Sequence, residues 1–287
     1  MNRRNFLLTG SLGLAFATRA MLASASDDLR ALCKRLEQSS GGRLGVYMHD
    51  VCRSQEFLYR EDERFAMCST FKWLLAAAVL GRVDAGQERL DRRVRFSRRD
   101  LLEYSPATTP FADGPGMSLA QLCEGAIVDS DNTAANLLLN ALGGPSGFNA
   151  FLRMQGDQVT RLDRPEPELN EARAGDPRDT STPSAMGRDL HRLLLEDRLS
   201  AASCRQLTDW MLATRTSGAR LRAGLEEGWR LADKTGSGRN GTANDVGIYW
   251  TPAGDPIVLC VFLTGARFDG AAQAATIATL GRAVRTR

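Results

Sequence analysis

Histidine is nearly missing from this chain. His49 and His191 are the only two in 287 residues, so a serine-histidine-aspartate triad has few candidates for its base. No C-x-x-C pair and no cluster of cysteine with histidine occurs, which argues against a zinc site; no metal or other cofactor is expected. The apolar stretch near the start is broken by Arg19 before it is long enough to span a bilayer. Internal repeats and low-complexity linkers are lacking as well. With 43% hydrophobic and 25% charged residues the composition is that of an ordinary globular protein, and a chain of this length can bury a substantial core. An excess of charge of one sign is also lacking. The formal charge is +3, and three arginines of the leader described next account for it, so the clustered basic surface of a nucleic-acid binder is not expected.

Residues 1–25 read as an export signal rather than as part of the fold. The paired Arg3-Arg4 precedes an apolar run to Phe16, and Ala23-Ser24-Ala25 supplies a small-x-small cleavage site. The arginine pair points to the twin-arginine route, with an ordinary Sec signal as the alternative. The mature protein is therefore expected in the periplasm of a bacterium, as a monomer with no stable membrane association. Cys33, Cys52, Cys68, Cys123, Cys204 and Cys260 all follow the leader. An exported location permits disulfides, yet a chain this long does not need them, and buried single thiols are the simpler expectation.

The order of periodic segments sets the fold class. A helix is predicted over 27–38, a strand over 44–49 with its hairpin partner over 56–59, and helices over 68–80, 118–128, 131–142, 146–154, 183–195 and 200–213. Strands return over 229–235, 243–250 and 257–264, and a helix over 269–284 closes the chain. Strand, many helices, strands, helix predicts an α/β (α+β) fold: an antiparallel sheet flanked by helices, with an all-helical domain over 61–213 inserted between 26–60 and 214–287. The join between the two is the natural place for a cleft.

Four stretches carry candidate chemistry. Cys68-Ser69-Thr70-Phe71-Lys72 precedes the apolar run 73–80, which is apolar on every side and so belongs in a core. Three residues apart, Ser69 and Lys72 share one face of a helix, where an amine of lowered pKa can activate a hydroxyl. Taken alone, the tetrapeptide favours a capping serine with a snorkelling lysine. Ser130-Asp131-Asn132 reads either as a capping segment or as a proton shuttle, Ser130, next to an amide donor, Asn132. Lys234-Thr235-Gly236 follows strand 229–233; Lys234 offers a cation to a carboxylate and Gly236 permits close approach on an edge strand, or the tripeptide simply ends the strand in a turn. Finally, Pro165 and Pro167 flank Glu166 in a segment that cannot be helical. Arg164 and Asp179 can clasp its ends, and Glu166 with Asn170 can hold one water, the carboxylate as general base.

Ser-x-x-Lys, Ser-Asp-Asn and Lys-Thr-Gly in this order, with a glutamate loop between the last two, is far more specific than any one of them. The sequence resembles the class A serine β-lactamases over essentially its whole mature length. That resemblance implies hydrolysis of the β-lactam ring of penicillin- and cephalosporin-type antibiotics, and so resistance, through an acyl-enzyme. Ser69 would be the nucleophile, with Lys72, Glu166 through water, or both as the base. Ser130 would pass a proton to the lactam nitrogen, and Glu166 with Asn170 would drive deacylation. The backbone N–H groups of Ser69 and Ser237 would hold the oxyanion, Tyr104 would line the cleft, and Asn132 would bind a substrate amide. Lys234, Thr235, Gly236, Ser237 and Arg220 would form the carboxylate side of the substrate site, Arg220 because Ala243 stands where many relatives carry the arginine. Cys68 meets Gly238 where carbapenem-hydrolysing relatives have a second cysteine, and Cys123 meets Ala76, so neither bridge is expected. A D-Ala-D-Ala carboxypeptidase or transpeptidase, or a sensor that acylates once, is the competing expectation; Glu166 and Asn170 argue against both.

Overall fold

In the computed structural model, residues 26–286 are described, and the proposed export signal lies outside them. The elements in order are α1 (26–40), β1 (Arg43–Asp50), β2 (Gln55–Tyr59), β3 (Phe65–Ala66), α2 (Phe71–Asp84), β4 (Arg93–Val94), β5 (Met117–Ser118), α3 (Leu119–Val128), α4 (Asn132–Ala141) and α5 (Gly144–Met154). They continue with β6 (Thr180–Ser181), α6 (Pro183–Leu195), α7 (Ala201–Leu212), β7 (Arg230–Gly238), β8 (Thr242–Trp250), β9 (Pro256–Thr264) and α8 (Gly270–Arg285).

Five strands form one antiparallel sheet in the order β2-β1-β9-β8-β7. Both of its faces are covered. Along β9, Val258, Cys260 and Phe262 face the helices of the middle of the chain, while Leu259, Val261 and Leu263 pack with Leu29, Ile277 and Leu280 of α1 and α8. Burial on both sides explains why 257–264 reads as a continuous apolar run rather than an alternation. Helix α6 lies directly on β1, β8 and β9.

Helix α2 is the axis of the helical layer. Every residue from Phe71 to Leu80 is buried, and Trp73 Nε1 donates to Met186 Sδ at 3.3 Å. An all-round apolar helix is stable only with neighbours on every side, and α3, α4, α5 and α7 supply them. Three expectations need correction here. Residues 68–70 form a 3-10 turn rather than the first turn of the α-helix, and α2 continues past Gly81 to Asp84. A single glycine costs a helix only about 1 kcal/mol, less than this burial supplies. The last long correction concerns β7, which does not stop at Asp233 or Thr235 but runs through Lys-Thr-Gly to Gly238, with Ser237 opposite Ala243 on β8. Among the described residues no strand pairs with its other edge.

Candidate active site

The 3-10 turn and β7 place the candidate nucleophile. Cys68 is in the left-handed region at φ 47°, a costly conformation for a side chain of this kind, and it turns Ser69 out of the core at the mouth of α2. The turn is held from below: Thr70 Oγ1 donates to Met67 O at 2.8 Å, and Asn244 Nδ2 of β8 donates to Ala66 O and Met67 O at 2.9 and 3.0 Å. Gly236 explains why β7 can run so close. A Cβ there would sit 2.6 Å from Met67 O, so the missing side chain makes room for the nucleophile turn.

Lys72 is fully buried in the first turn of α2, and its amine is saturated. It donates to Ser130 O at 2.8 Å and Asn132 Oδ1 at 2.6 Å and pairs with Glu166 Oε1 at 2.9 Å. Burial lowers its pKa below the usual lysine value, against the opposing pull of the Glu166 charge. Ser69 Oγ donates to the same Glu166 Oε1 at 3.3 Å. Serine and lysine thus meet through one shared carboxylate oxygen.

Glu166 is held in place at both its backbone and its carboxylate. Asn136 of α4 accepts from Glu166 N and donates to Glu166 O, each at 2.9 Å, and Asn170 Nδ2 donates to Glu166 Oε2. The segment's ends are clasped as expected: Arg164 Nε meets Asp179 Oδ2 at 2.6 Å, and Asp179 Oδ1 also accepts from the backbone of Asp163 and Arg164. Arg164 makes a second ion pair, with Glu171 at 2.8 Å.

Ser130 is bracketed by two amines. Its carbonyl faces Lys72, and its hydroxyl accepts from Lys234 Nζ at 3.0 Å. Its φ of 60° is again left-handed, the conformation that aims the hydroxyl back at the cleft while Asp131 caps α4. The capping reading of Ser130-Asp131-Asn132 therefore holds, through Asp131, while the Ser130 hydroxyl stays free to face the cleft. The buried Asp131 carboxylate accepts from the backbone N–H of Ala134, Ala107 and Thr108, which ties α4 to the loop carrying Tyr104. Lys234 is wholly buried, and desolvation together with the nearby Lys72 charge lowers its pKa well below the ordinary value. Its amine meets the Ser130 hydroxyl, which lines the cleft.

Between these elements lies a cleft of about 280 Å³. Ser69, Ser130, Asn132 and Asn170 line its base; Tyr104, half exposed, forms one wall, and Thr235, Ser237 and Arg220 the other. Arg220 donates through Nη1 to Gly236 O at 2.8 Å and Asn244 O at 2.7 Å, and through Nη2 to Ser237 Oγ. Thr216 was not anticipated; its hydroxyl meets that of Thr235 at 2.6 Å and it shares the cleft wall. No periodicity or motif marks it. Asn136 and Asn244 were missed as positioning residues for the same reason.

Cys33, Cys68, Cys123 and Cys260 are buried, but Cys52 is exposed and Cys204 half-buried, so the expectation of buried thiols holds for only four of them. Cys68 is buried, and desolvation with the Glu166 charge pushes its thiol up to about 12. Its sulfur faces Gly238, where an added Cβ would lie 2.5 Å from Sγ and 2.9 Å from Asn170 O. Gly238→Ala is accordingly expected to push the Asn170 segment outward and to lower stability by about 1–3 kcal/mol, seen as a fall in the thermal midpoint. An unchanged midpoint would mean the segment yields freely.

Comparisons with known proteins agree with this arrangement. Residues 25–287 match the model of the β-lactamase enzyme family. The β-lactamase FAR-1 of Nocardia farcinica is 47% identical over 253 residues, 88% of this chain and 80% of that protein. The β-lactamase L2 of Stenotrophomonas maltophilia is 43% identical across 95% of this chain and 88% of its own length. Among solved structures, an ancestral class A β-lactamase superposes with a TM-score of 0.87 at 57% identity, covering 91% of this chain and 98% of that one. The chain belongs to the class A β-lactamases.

Proposed function

We propose that this enzyme opens the β-lactam ring by the attack of Ser69 Oγ on the lactam carbonyl, forming an ester that Glu166 then hydrolyses. The observation that carries this assignment is the Glu166 carboxylate, held by Asn136 and Asn170 and placed 3.3 Å from Ser69 Oγ. That hydrogen bond supports Glu166 as the acceptor of the serine proton, with Lys72 sharing its charge. The carbonyl oxygen becomes an oxyanion between the backbone N–H groups of Ser69 and Ser237, each donor worth about 3 kcal/mol in the transition state. Ser130, polarised by Lys234, gives its proton to the ring nitrogen as the C–N bond breaks and regains one from Glu166 by way of the Lys72 amine, which returns Glu166 to its carboxylate form. Water activated by Glu166 and oriented by Asn170 then attacks the ester and frees Ser69. Stopped-flow turnover of a chromogenic cephalosporin, followed by intact mass, tests the sequence of steps. Sustained turnover with no lasting adduct is expected, and a single burst with a stable adduct would favour a penicillin-binding enzyme or a sensor.

Arg220, Thr235, Ser237 and Lys234 form the carboxylate side of the substrate site. Arg220 is mostly desolvated, which lowers its pKa without discharging it. Arg220→Ala should cost about 2 kcal/mol of binding to a carboxylate-bearing β-lactam, about 30-fold in KM, with little change in kcat. Unchanged kinetics would remove Arg220 from the substrate site.

We further infer that residues 1–25 direct export to the periplasm by the twin-arginine route, that the mature enzyme works as a monomer with no stable membrane association, and that 61–213 is a helical domain inserted in the α/β domain. The paired Arg3-Arg4 and the start of the family match at residue 25 support the first of these. Lysine at both positions 3 and 4 should leave the protein in the cytoplasm on cell fractionation; normal export would point to Sec instead.

A further inference from the structure

Behind the Glu166 segment, on the side away from the cleft, lies a second and larger cavity of about 610 Å³. Its walls are unusually cationic for a chain with so little net charge. Arg164, Arg173 and Arg178 enter it from the Glu166 segment, and Arg43 and Arg64 from β1 and the start of β3. Gly42 and its neighbours leave bare backbone on the floor.

The carboxylates around this cavity do not use up the guanidinium donors. Glu171 is shared by Arg164 at 2.8 Å and Arg173 at 2.5 Å, and Glu63 by Arg43 at 2.7 Å and Arg60 at 2.8 Å. Asp176 serves Arg178 at 2.7 Å. Arg64 pairs with no carboxylate among the described residues; its Nη1 donates to Val159 O and Thr180 Oγ1 at 2.9 and 3.0 Å. Arg43 lies over the Phe65 ring, 4.1 Å from its centroid, and is fixed there by Nη1 on Glu63 and by Nη2 on Arg64 O at 2.8 Å, which leaves its Nε–H without a carboxylate among the described residues. A guanidinium carries five N–H donors in a planar fork that matches the oxygens of phosphate, and several forks converging on one space suit an anion with more than one such group.

We propose that this cavity is a binding site for a multivalent phosphate anion of about the size of a diphosphate, which ties the Glu166 segment to β1 and β3. A diphosphate has oxygens enough to meet Arg64 and Arg43 on one side and Arg173 and Arg178 on the other. Its binding replaces no ion pair that holds Glu166, because Arg164 and Asp179 stay engaged with each other. The phosphate groups can be those of a free anion or of a lipid headgroup.

Calorimetry with sodium pyrophosphate tests the site without calling on Ser69 chemistry. At about 10 mM pyrophosphate, against sodium chloride of equal ionic strength, the thermal midpoint should rise by about 3 °C. The rise should persist in Arg220→Ala, which weakens the cleft, and shrink by more than half in Arg64→Ala and in Arg173→Ala. Arg64→Ala should keep wild-type turnover of a chromogenic cephalosporin, showing that it is folded. Flotation with vesicles of phosphatidylglycerol, with phosphatidylcholine as control, separates the sources: selective flotation lost in Arg64→Ala assigns a lipid headgroup, and none assigns a free anion. A midpoint that does not respond, that responds equally to chloride, or that responds in Arg64→Ala but not in Arg220→Ala would overturn the proposal.

Discussion

Ser69→Ala is expected to abolish the covalent adduct with penicillin and to lower kcat/KM by about 10⁶-fold, the scale seen when a nucleophile that works as part of a unit is removed. No neighbouring hydroxyl can take over. Thr70 Oγ1 is buried and donates to Met67 O, while Ser130 Oγ is engaged by Lys234 and sits on the far side of Lys72. The substitution removes one oxygen from a half-buried position and leaves the Lys72–Glu166 pair and its contacts with Ser130 and Asn132 in place. Stability should therefore stay the same or rise slightly, as is common when a strained catalytic group is simplified. Intact mass after incubation with penicillin checks the chemistry, and a thermal scan checks the fold. An adduct that persists in a folded Ser69→Ala protein would mean that another side chain is the nucleophile.

Much of the site was legible because its chemistry needs unusual residues at short spacing. Pro165 and Pro167 announce a rigid segment around Glu166, and a serine three residues from a lysine ahead of a wholly apolar run announces a buried helix with a polar mouth. A further signal lay in the composition: Lys34, Lys72 and Lys234 are the only lysines among 37 basic residues. Arginine cannot give up its proton in a protein, whereas lysine can when buried. In a chain that otherwise uses arginine, two fully buried lysines mark the places where an amine of lowered pKa is needed. What was not legible is long-range. Asn136 clamps Glu166 across 30 positions, and Asn244 pins the nucleophile turn across 177. An asparagine on a helix or a strand carries no local sign of which distant backbone it will satisfy. The extension of β7 through Gly238 was hidden in the same way, since glycine argues against a strand until the Met67–Thr70 backbone is seen against Gly236.

Glu166→Ala is expected to separate the two halves of the reaction, with acylation kept in part and deacylation slowed by about 10³-fold. The reasoning runs through Lys72. Both the charge and the hydrogen bond of Glu166 raise the lysine pKa, in opposition to burial. Removing the carboxylate takes away the two largest effects that oppose burial and leaves the smaller pull of Asp131, so the amine titrates lower still and its neutral form becomes available to accept the Ser69 proton. Nothing comparable replaces the base for the water step, because Asn170 orients but cannot accept a proton from water at neutral pH. Stopped-flow absorbance should show a burst of about one equivalent followed by very slow turnover, and intact mass should show the opened lactam on the protein. Breaking a buried ion pair also costs about 3–5 kcal/mol, so a lower thermal midpoint is expected alongside. Glu166→Gln keeps the shape of the side chain and its contact with Asn170 and should trap the same adduct with a smaller loss of stability. If both variants fold but neither accumulates adduct, then Glu166 is required for acylation itself, and Lys72 cannot act without it.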